Sequence, residues 1–151
     1  MKPLRVKLPI QHFPPNYTCD GADISPAIEI RGIEDDVRSL ALVLNDPDAP
    51  RGSFVHWLCW NMEVVSIIPE DIPKEPEATF PISLRQGTND FGRIGYGGPC
   101  PPKGQVHRYY FKVYALDSMI PLAPGARLPA LAEAMQGRVL QFGEAQALYG
   151  R

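Results

Sequence analysis

The stretch at residues 90–117, DFGRIGYGGPCPPKGQVHRYYFKVYALD, joins a loop dense in glycine and proline directly to a long predicted strand. Glycine permits close backbone approach and positive φ, whereas proline fixes φ and removes a donor. Successive strand side chains alternate between faces. One face of the strand at residues 107–116 therefore carries His107, Tyr109, Phe111 and Val113. A shaped loop on a rigid strand is typical of a binding site.

Composition predicts a soluble, single-domain protein over residues 1–151. The chain is 44% apolar and its formal net charge is -2, which gives no electrostatic case for nucleic acid or an anionic membrane. It has no basic run, no signal peptide and no apolar segment of about 18 residues. We therefore expect a cytoplasmic protein that does not insert stably into a membrane.

Short strands separated by breakers account for most of the sequence. The chain contains 17 prolines, and the apolar runs between them read as strands. The predicted strands cover residues 4–10, 27–31, 39–45, 54–61, 107–116 and 138–149, the last interrupted or bent at Gly143. The pattern of residues 62–87 predicts a surface loop with strand fragments. The pattern of residues 129–136 predicts the single helix. This pattern favours an antiparallel Greek-key β-sandwich.

Three polar residues lie within or at the ends of predicted buried strands. Asp46 ends one apolar strand, His56 lies inside FVHWLCWN, and His107 opens the strand described above. Strict alternation would place His56 on one face with Phe54, Leu58 and Trp60. A buried imidazole needs partners, so His56 is either a core histidine bonded to Asp46 or a backbone carbonyl, or part of a ligand pocket.

A pocket requires His56 and His107 to converge. Two imidazoles can donate to a phosphate or carboxylate, and the glycine-rich loop could add backbone N–H donors. Asp46 would then hold a histidine in one tautomer, or accept from a protonated phosphate or an ammonium group.

Other site chemistries have weaker support. The spacing of two histidines and a carboxylate matches no metal motif, and no Walker A or GxSxG pattern is present, so we expect no cofactor, no metal and no catalysis. Cys100 near His107 would make a nucleophile pair only with an orienting group. The three cysteines predict buried or half-buried thiols rather than a disulfide framework, and a Cys19–Cys100 disulfide stays open.

Several motifs, in order, resemble the phosphatidylethanolamine-binding protein family, also called the Raf kinase inhibitor protein family. They are DPDAP at residues 46–50, VHWL at 55–58, and GYGGPCPPKG followed by HRYYF within 95–111. YTCDGADISP at residues 17–26 resembles the bacterial and archaeal branch. The resemblance covers residues 10–149.

The resemblance implies two antiparallel sheets and a small anion pocket at one end of the central sheet. Such pockets accept phosphate, acetate, cacodylate or a phosphorylethanolamine headgroup. The residues that fall on the pocket positions or its rim are Asp46, His56, Gly98, Pro101, His107 and Tyr109. Pro50 falls on a proline that the family holds in cis, and Trp57 is not assigned to the pocket. Eukaryotic members have a further carboxy-terminal gating helix, which we do not expect here; prokaryotic members are often dimeric.

Three functions remain as hypotheses. The first is a non-enzymatic, regulatory protein that binds a small anion. The second is a protease or kinase inhibitor that acts through its surface. The third is a metal-dependent or acid–base hydrolase.

Overall fold

The computed structural model describes residues 2–151, which form nine strands and one α-helix. The strands are β1 (Arg5–Lys7), β2 (Ile28–Arg31), β3 (Ser39–Asp46), β4 (Phe54–Met62), β5 (Ile67–Ile68), β6 (Glu77–Ala78), β7 (Leu84–Gln86), β8 (Val106–Leu116) and β9 (Val139–Gly150). The helix, α1, is Leu128–Met135, and a single 3-10 turn covers Pro15–Tyr17. The helix therefore lies within one residue of its predicted bounds.

Two antiparallel sheets organise the chain, which confirms the predicted fold class. The smaller sheet has the order β1-β2-β5, and the larger has the order β6-β7-β4-β3-β8-β9. Strands β3, β4 and β8 are the longest buried strands of the larger sheet, and β3 pairs with both of the others. Side chains at the ends of these three strands can therefore meet at one edge.

Apolar side chains fill both faces of the larger sheet. One cluster packs this sheet against the smaller sheet and includes Ile30, Leu42, Trp57 and Phe111. The other packs its opposite face against α1 and includes Val43, Leu58 and Leu131. Strands buried on both faces read as continuous apolar runs, which is why SLALVLN at residues 39–45 shows no alternation.

The pairing of β8 with β9 corrects the prediction of a break at Gly143. The two strands pair from Val106↔Gly150 to Leu116↔Val139, and Gly143 lies in register opposite Val113. A Cβ atom at Gly143 would lie 2.4 Å from the carbonyl oxygen of Leu4. The glycine is needed there for close approach of the amino-terminal segment, and the strand continues through it.

A β-bulge at His56 overturns the alternation predicted for β4. Leu44 pairs with Trp57 and Asn45 with Val55, so His56 has no opposite residue on β3. Trp57 packs in the cluster between the sheets, and the His56 ring lies 5.3 Å from Tyr109, on that same side. Bulges redirect side chains beside functional sites. Here the bulge separates His56 from Leu58 and Trp60, which face α1.

Two further expectations are corrected by the structure. Cys19 and Cys100 form a disulfide, while Cys59 is a buried free thiol. The prediction of three thiols was therefore wrong, because 81 residues of sequence separate two cysteines that the fold brings together. The bond before Pro50 is trans, and the cis peptide bond among the described residues is Phe80–Pro81.

Within residues 2–151, no helix has the length and apolar character needed to cross a membrane.

Candidate functional site

A cavity of about 340 Å³ lies where β3, β4 and β8 meet the glycine-rich loop. Five of the six predicted site residues line it, and Gly98 does not. The lining residues are Asp46, Ala49, Pro50, Phe54, His56, Phe91, Cys100, Pro101, Pro102, His107, Tyr109 and Arg151. Strands β3, β4 and β8 contribute Asp46, His56, His107 and Tyr109, the loops contribute prolines and Phe91, and Arg151 follows β9.

A wider groove of about 490 Å³ lies beside the smaller sheet, among Arg5, Glu29 and Arg31. Its charged groups are solvated, and Glu29 already pairs with Arg31 at 3.0 Å. Salt bridges between exposed side chains contribute little. The buried polar groups of the first cavity make it the stronger candidate site.

Asp46 and His107 form a buried pair at the base of the cavity. Asp46 Oδ2 lies 2.7 Å from His107 Nδ1, and both side chains are 4% exposed. Asp46 Oδ1 accepts a hydrogen bond from the backbone N–H of Asp48 at 2.8 Å. The carboxylate therefore orients His107, as one of the two sequence interpretations of Asp46 required.

The second nitrogen of His107 lies against an exposed side chain. Nε2 is 2.7 Å from Oε1 of Gln105, a residue that does not itself line the cavity. A ligand oxygen could take the place of the Gln105 amide oxygen beside this nitrogen.

His56 is held by a backbone carbonyl and not by Asp46. Its Nδ1 lies 2.7 Å from the carbonyl oxygen of Gly97, and the ring packs among Phe54, Phe91 and Tyr109 at centroid distances of 4.9, 5.3 and 5.3 Å. Burial lowers the pKa of His56, against the opposing effects of the Gly97 carbonyl and Asp46. Because the Gly97 carbonyl can only accept, Nδ1 carries a hydrogen, and the lowered pKa favours the neutral ring with a lone pair on Nε2.

Tyr109 contributes a buried phenol without a protein partner. Its side chain is fully buried, and its hydroxyl has no hydrogen-bond partner among the described residues. Burial, followed by the charges of Asp46 and Asp48, raises the pKa of Tyr109. The hydroxyl stays protonated at neutral pH and is available as a donor.

Gly98 does not line the cavity, and its N–H is bonded within the protein. Its N–H donates to Asp23 Oδ1 at 2.7 Å, and a Cβ atom there would lie 2.3 Å from the carbonyl oxygen of Tyr17. The Gly98 N–H is therefore already engaged within the protein, and Gly98 is the one predicted pocket residue that does not line the cavity. Pro101, three residues later, does line the cavity.

Arg151 is the functional candidate that the sequence interpretation missed. Its Nη2 donates to Asp20 Oδ1 at 3.0 Å, and its Nη1 donates to the carbonyl oxygen of Pro101 at 3.2 Å. The sequence gives no local signal for this position. Only the register of β8 with β9, which pairs Val106 with Gly150, brings residue 151 beside the mouth.

The alternative chemistries would need a cluster of metal ligands or a free thiol beside the cavity. Within residues 2–151, no three His, Cys, Asp or Glu side chains are grouped to hold a metal ion. Cys100 is bonded to Cys19, so the proposed thiol nucleophile near His107 is not free in this structure. Trp57 lies away from the cavity and donates to Gln86 Oε1 at 2.8 Å.

Comparison with known proteins identifies the family. The family model described as phosphatidylethanolamine-binding protein matches residues 6–150. A UPF0098 protein of Pyrococcus horikoshii is 54% identical over 142 residues, which is 93% of this chain and 72% of that protein. This chain belongs to the phosphatidylethanolamine-binding protein family.

Two solved structures share the fold. A phosphatidylethanolamine-binding protein homologue from Chlamydia trachomatis has a TM-score of 0.88 and 32% identity, covering 99% of this chain and 98% of that chain. YbcL of Escherichia coli has a TM-score of 0.88 and 28% identity, covering 99% of each chain. The bacterial and archaeal resemblance seen in the motifs is thereby confirmed.

Proposed function

We propose that this protein binds a small oxyanion, phosphate or a phosphorylated headgroup, in the cavity at the ends of β3, β4 and β8. One observation carries the proposal: His56, Tyr109 and His107 line one cavity with polar groups free for a ligand. The Tyr109 hydroxyl has no protein partner, and His56 is bonded through Nδ1, which leaves Nε2. His107 Nε2 contacts only the exposed Gln105 side chain, which a ligand could replace. A buried polar atom without a partner is costly unless a ligand or water satisfies it.

Each polar group has a distinct role in this proposal. His107 donates from Nε2 after Gln105 moves aside, and Asp46 fixes the orientation of that ring from behind. The Tyr109 hydroxyl donates to a second oxygen. Arg151 supplies positive charge at the mouth, beside Pro101. The names of the family and of the Chlamydia trachomatis homologue refer to phosphatidylethanolamine, which supports a phosphorylated ligand.

The binding is proposed to occur without catalysis. The one sulfur atom among the lining residues belongs to Cys100 and is engaged in the disulfide. The buried carboxylate of Asp46 already accepts hydrogen bonds through both oxygens. Neither group is arranged as a nucleophile activated by a base. A regulatory role would follow if ligand occupancy altered the loops at the mouth.

A cytoplasmic location and self-association as a dimer stay predictions. The exposed Cys19–Cys100 disulfide bears on the location. Disulfides are rare in the cytoplasm of most organisms, and intracellular proteins of hyperthermophiles are the exception. Inhibition of a protease or kinase through the surface would persist after loss of the pocket, which separates that hypothesis from anion binding.

Calorimetric titration of inorganic phosphate and phosphorylethanolamine, with chelator present, tests the proposal. We expect saturable binding to the wild type and none to His56→Ala. His12→Ala provides a matched control, because His12 is exposed and does not line the cavity. Circular dichroism and thermal unfolding establish that each variant is folded. Absence of saturable binding to the wild type, or equal binding to His56→Ala, would contradict the proposal.

A further inference from the structure

The Cys19–Cys100 disulfide lies at the rim of the cavity and is open to solvent. Both cysteines are exposed, and Cys100 is among the residues that line the cavity. The guanidinium of Arg151, which also lines the cavity, places Nη1 3.7 Å from the Cys100 sulfur. Exposed disulfides exchange with external thiols more readily than buried structural ones. This disulfide is therefore within reach of a small thiol in the folded protein.

The two sulfurs have different electrostatic surroundings. Cys100 faces the Arg151 guanidinium, whereas Cys19 is followed directly by Asp20. Asp20 Oδ1 accepts a hydrogen bond from Arg151 Nη2 at 3.0 Å, and Asp20 Oδ2 accepts from the Tyr149 hydroxyl. A neighbouring cation stabilises a thiolate, whereas a neighbouring carboxylate disfavours one. The pair of Arg151 with Asp20 therefore favours a thiolate on Cys100 over one on Cys19.

Contacts other than the disulfide join the same two loops. The Cys19 N–H donates to the carbonyl oxygen of Pro99 at 3.2 Å, and the Tyr96 hydroxyl donates to the carbonyl oxygen of Tyr17 at 2.6 Å. Tyr96 is buried, so its hydrogen bond is shielded from water. Opening the disulfide therefore leaves the two sulfurs near each other, as a reversible exchange requires.

We propose that the Cys19–Cys100 disulfide is a thiol-exchange site that controls the cavity, at which a small thiol becomes attached to Cys19 and Cys100 is released as a thiolate. The external thiolate bonds to the Cys19 sulfur, the disulfide bond breaks, and its electron pair stays on Cys100, because the better-stabilised thiolate leaves faster. A second small thiol then attacks the mixed disulfide. Two small thiols are thereby oxidised to one small disulfide, while the two cysteines are reduced. The reverse sequence restores the link.

The released thiolate changes the charge at the rim of the cavity. Cys100 and Arg151 both line the cavity, so a thiolate there pairs with the cation that the oxyanion would otherwise use. The same thiolate repels an anion bound beside His56, His107 and Tyr109. This consequence rests on the oxyanion-binding function proposed above. Opening the disulfide therefore weakens the binding of an anion.

Exchange on the oxidised wild type, in its folded state, tests the proposed site. The protein is incubated with reduced glutathione, free thiols are trapped with an alkylating agent, and mass spectrometry of peptides locates both groups. We expect glutathione on Cys19 and the alkyl group on Cys100, in several-fold excess over the reverse arrangement. Arg151→Met should reduce this excess, and Arg31→Met, at an exposed arginine paired with Glu29, should not. Equal labelling of the two cysteines, or no exchange while the wild type stays folded, would overturn the inference.

Two variants without the disulfide separate the charge of the thiolate from the loss of the link. Cys19→Ser retains a free Cys100, and the double variant, Cys19→Ser with Cys100→Ser, does not. At about pH 8 calorimetry should show phosphate binding about tenfold more weakly to the single variant, because only that variant has an anionic sulfur beside Arg151. Circular dichroism establishes that both variants are folded. Equal affinities at this pH would contradict control of the cavity by Cys100.

Lowering the pH tests whether the charge on sulfur is responsible. The difference in affinity should shrink as the Cys100 thiolate takes up a proton, which its ultraviolet absorbance reports in the same samples. The other titratable groups around this sulfur and the cavity are the same in both variants, so their effects cancel: Asp20, Asp46, His56, His107, Tyr109 and Tyr149. A difference that persists after protonation would overturn the inference. If phosphate binds to neither variant nor to the oxidised wild type, the proposed function fails and control of the cavity fails with it, whereas exchange at Cys19 is decided by the peptide mapping alone.

Discussion

At the level of single residues, two acid–base pairs connect the end of β3 and the loop after it to the start of β8. The inner pair is Asp46 with His107, and the outer pair is Asp48 with Arg108. Arg108 donates to Asp48 Oδ2 from Nε at 2.9 Å and to Oδ1 from Nη2 at 2.8 Å. Bidentate pairs of this kind fix geometry as well as charge. The outer pair therefore holds the loop that carries Pro50 against the strand that carries His107.

The outer pair leads to a prediction about the pKa of Asp48. The hydrogen bonds from Arg108 lower the pKa of Asp48 from 3.8 to about 2. A depressed folded-state pKa stabilises the fold above the ordinary value, and this contribution is lost as the pH falls from about 4 towards about 2. Arg108→Ala should return the Asp48 pKa towards 3.8, as followed by carboxyl carbon NMR. Arg127→Ala, which does not contact Asp48, should leave it unchanged; an unchanged value in Arg108→Ala would contradict the prediction.

Gln86, on β7, links separate elements of the larger sheet through its buried side chain. Its Oε1 accepts from Trp57 Nε1 at 2.8 Å, and its Nε2 donates to the carbonyl oxygens of Pro73 and Glu75 at 2.6 and 2.8 Å. This one fully buried side chain joins β7 and β4 to the loop before β6. A buried polar group that loses its hydrogen-bond partner destabilises the folded protein by the full free energy of its desolvation.

Gln86→Ala should accordingly lower the free energy of unfolding by about 2 to 4 kcal/mol, because it leaves an indole N–H and two carbonyls without their partner. Chemical denaturation measures the change. Gln146→Ala, on the exposed side of β9, is the control and should change stability by less than about 0.5 kcal/mol. A loss in Gln86→Ala no greater than in the control would contradict this role.

Strand positions were predictable from sequence more fully than side-chain directions. Apolar runs and proline or glycine breakers predicted β3, β4, β8 and α1 within one residue at either end. The direction of His56 was not predictable, because a bulge depends on pairing with Asn45 and Leu44 that no local pattern reveals. Likewise, the site residues near β3, β4 and β8 carried a motif, whereas Arg151 reaches the cavity only through long-range register.

At the scale of the whole molecule, the Cys19–Cys100 disulfide joins the amino-terminal loop to the loop that lines the cavity. The two cysteines are 81 residues apart. The same two loops are also joined by the bond from the Tyr96 hydroxyl to the Tyr17 carbonyl at 2.6 Å. A covalent link across so long a loop restricts the unfolded chain strongly. The disulfide therefore stabilises the fold and keeps the cavity rim in place.

Replacing both cysteines, Cys19→Ser with Cys100→Ser, should lower the free energy of unfolding by about 4.5 kcal/mol, the loop-closure value for a loop of this length. Denaturant unfolding with and without a reductant measures it. Reduction should destabilise the wild type by a similar amount and should not change the double variant. Equal stability of wild type and double variant would show that the link does not constrain the unfolded chain.

The most direct measurement of the central claim, that the cavity binds phosphate, is a titration of phosphate followed by nitrogen NMR of the histidine rings. We expect saturable shifts at His56 and His107, which line the cavity, and none at His12, which does not. We also expect that, without ligand, His56 has a protonated Nδ1 and an unprotonated Nε2. Phosphate binding in the cavity would be contradicted if the ring-nitrogen chemical shifts of His56 and His107 did not change. It would also be contradicted if the shifts of all three histidines changed together without saturation.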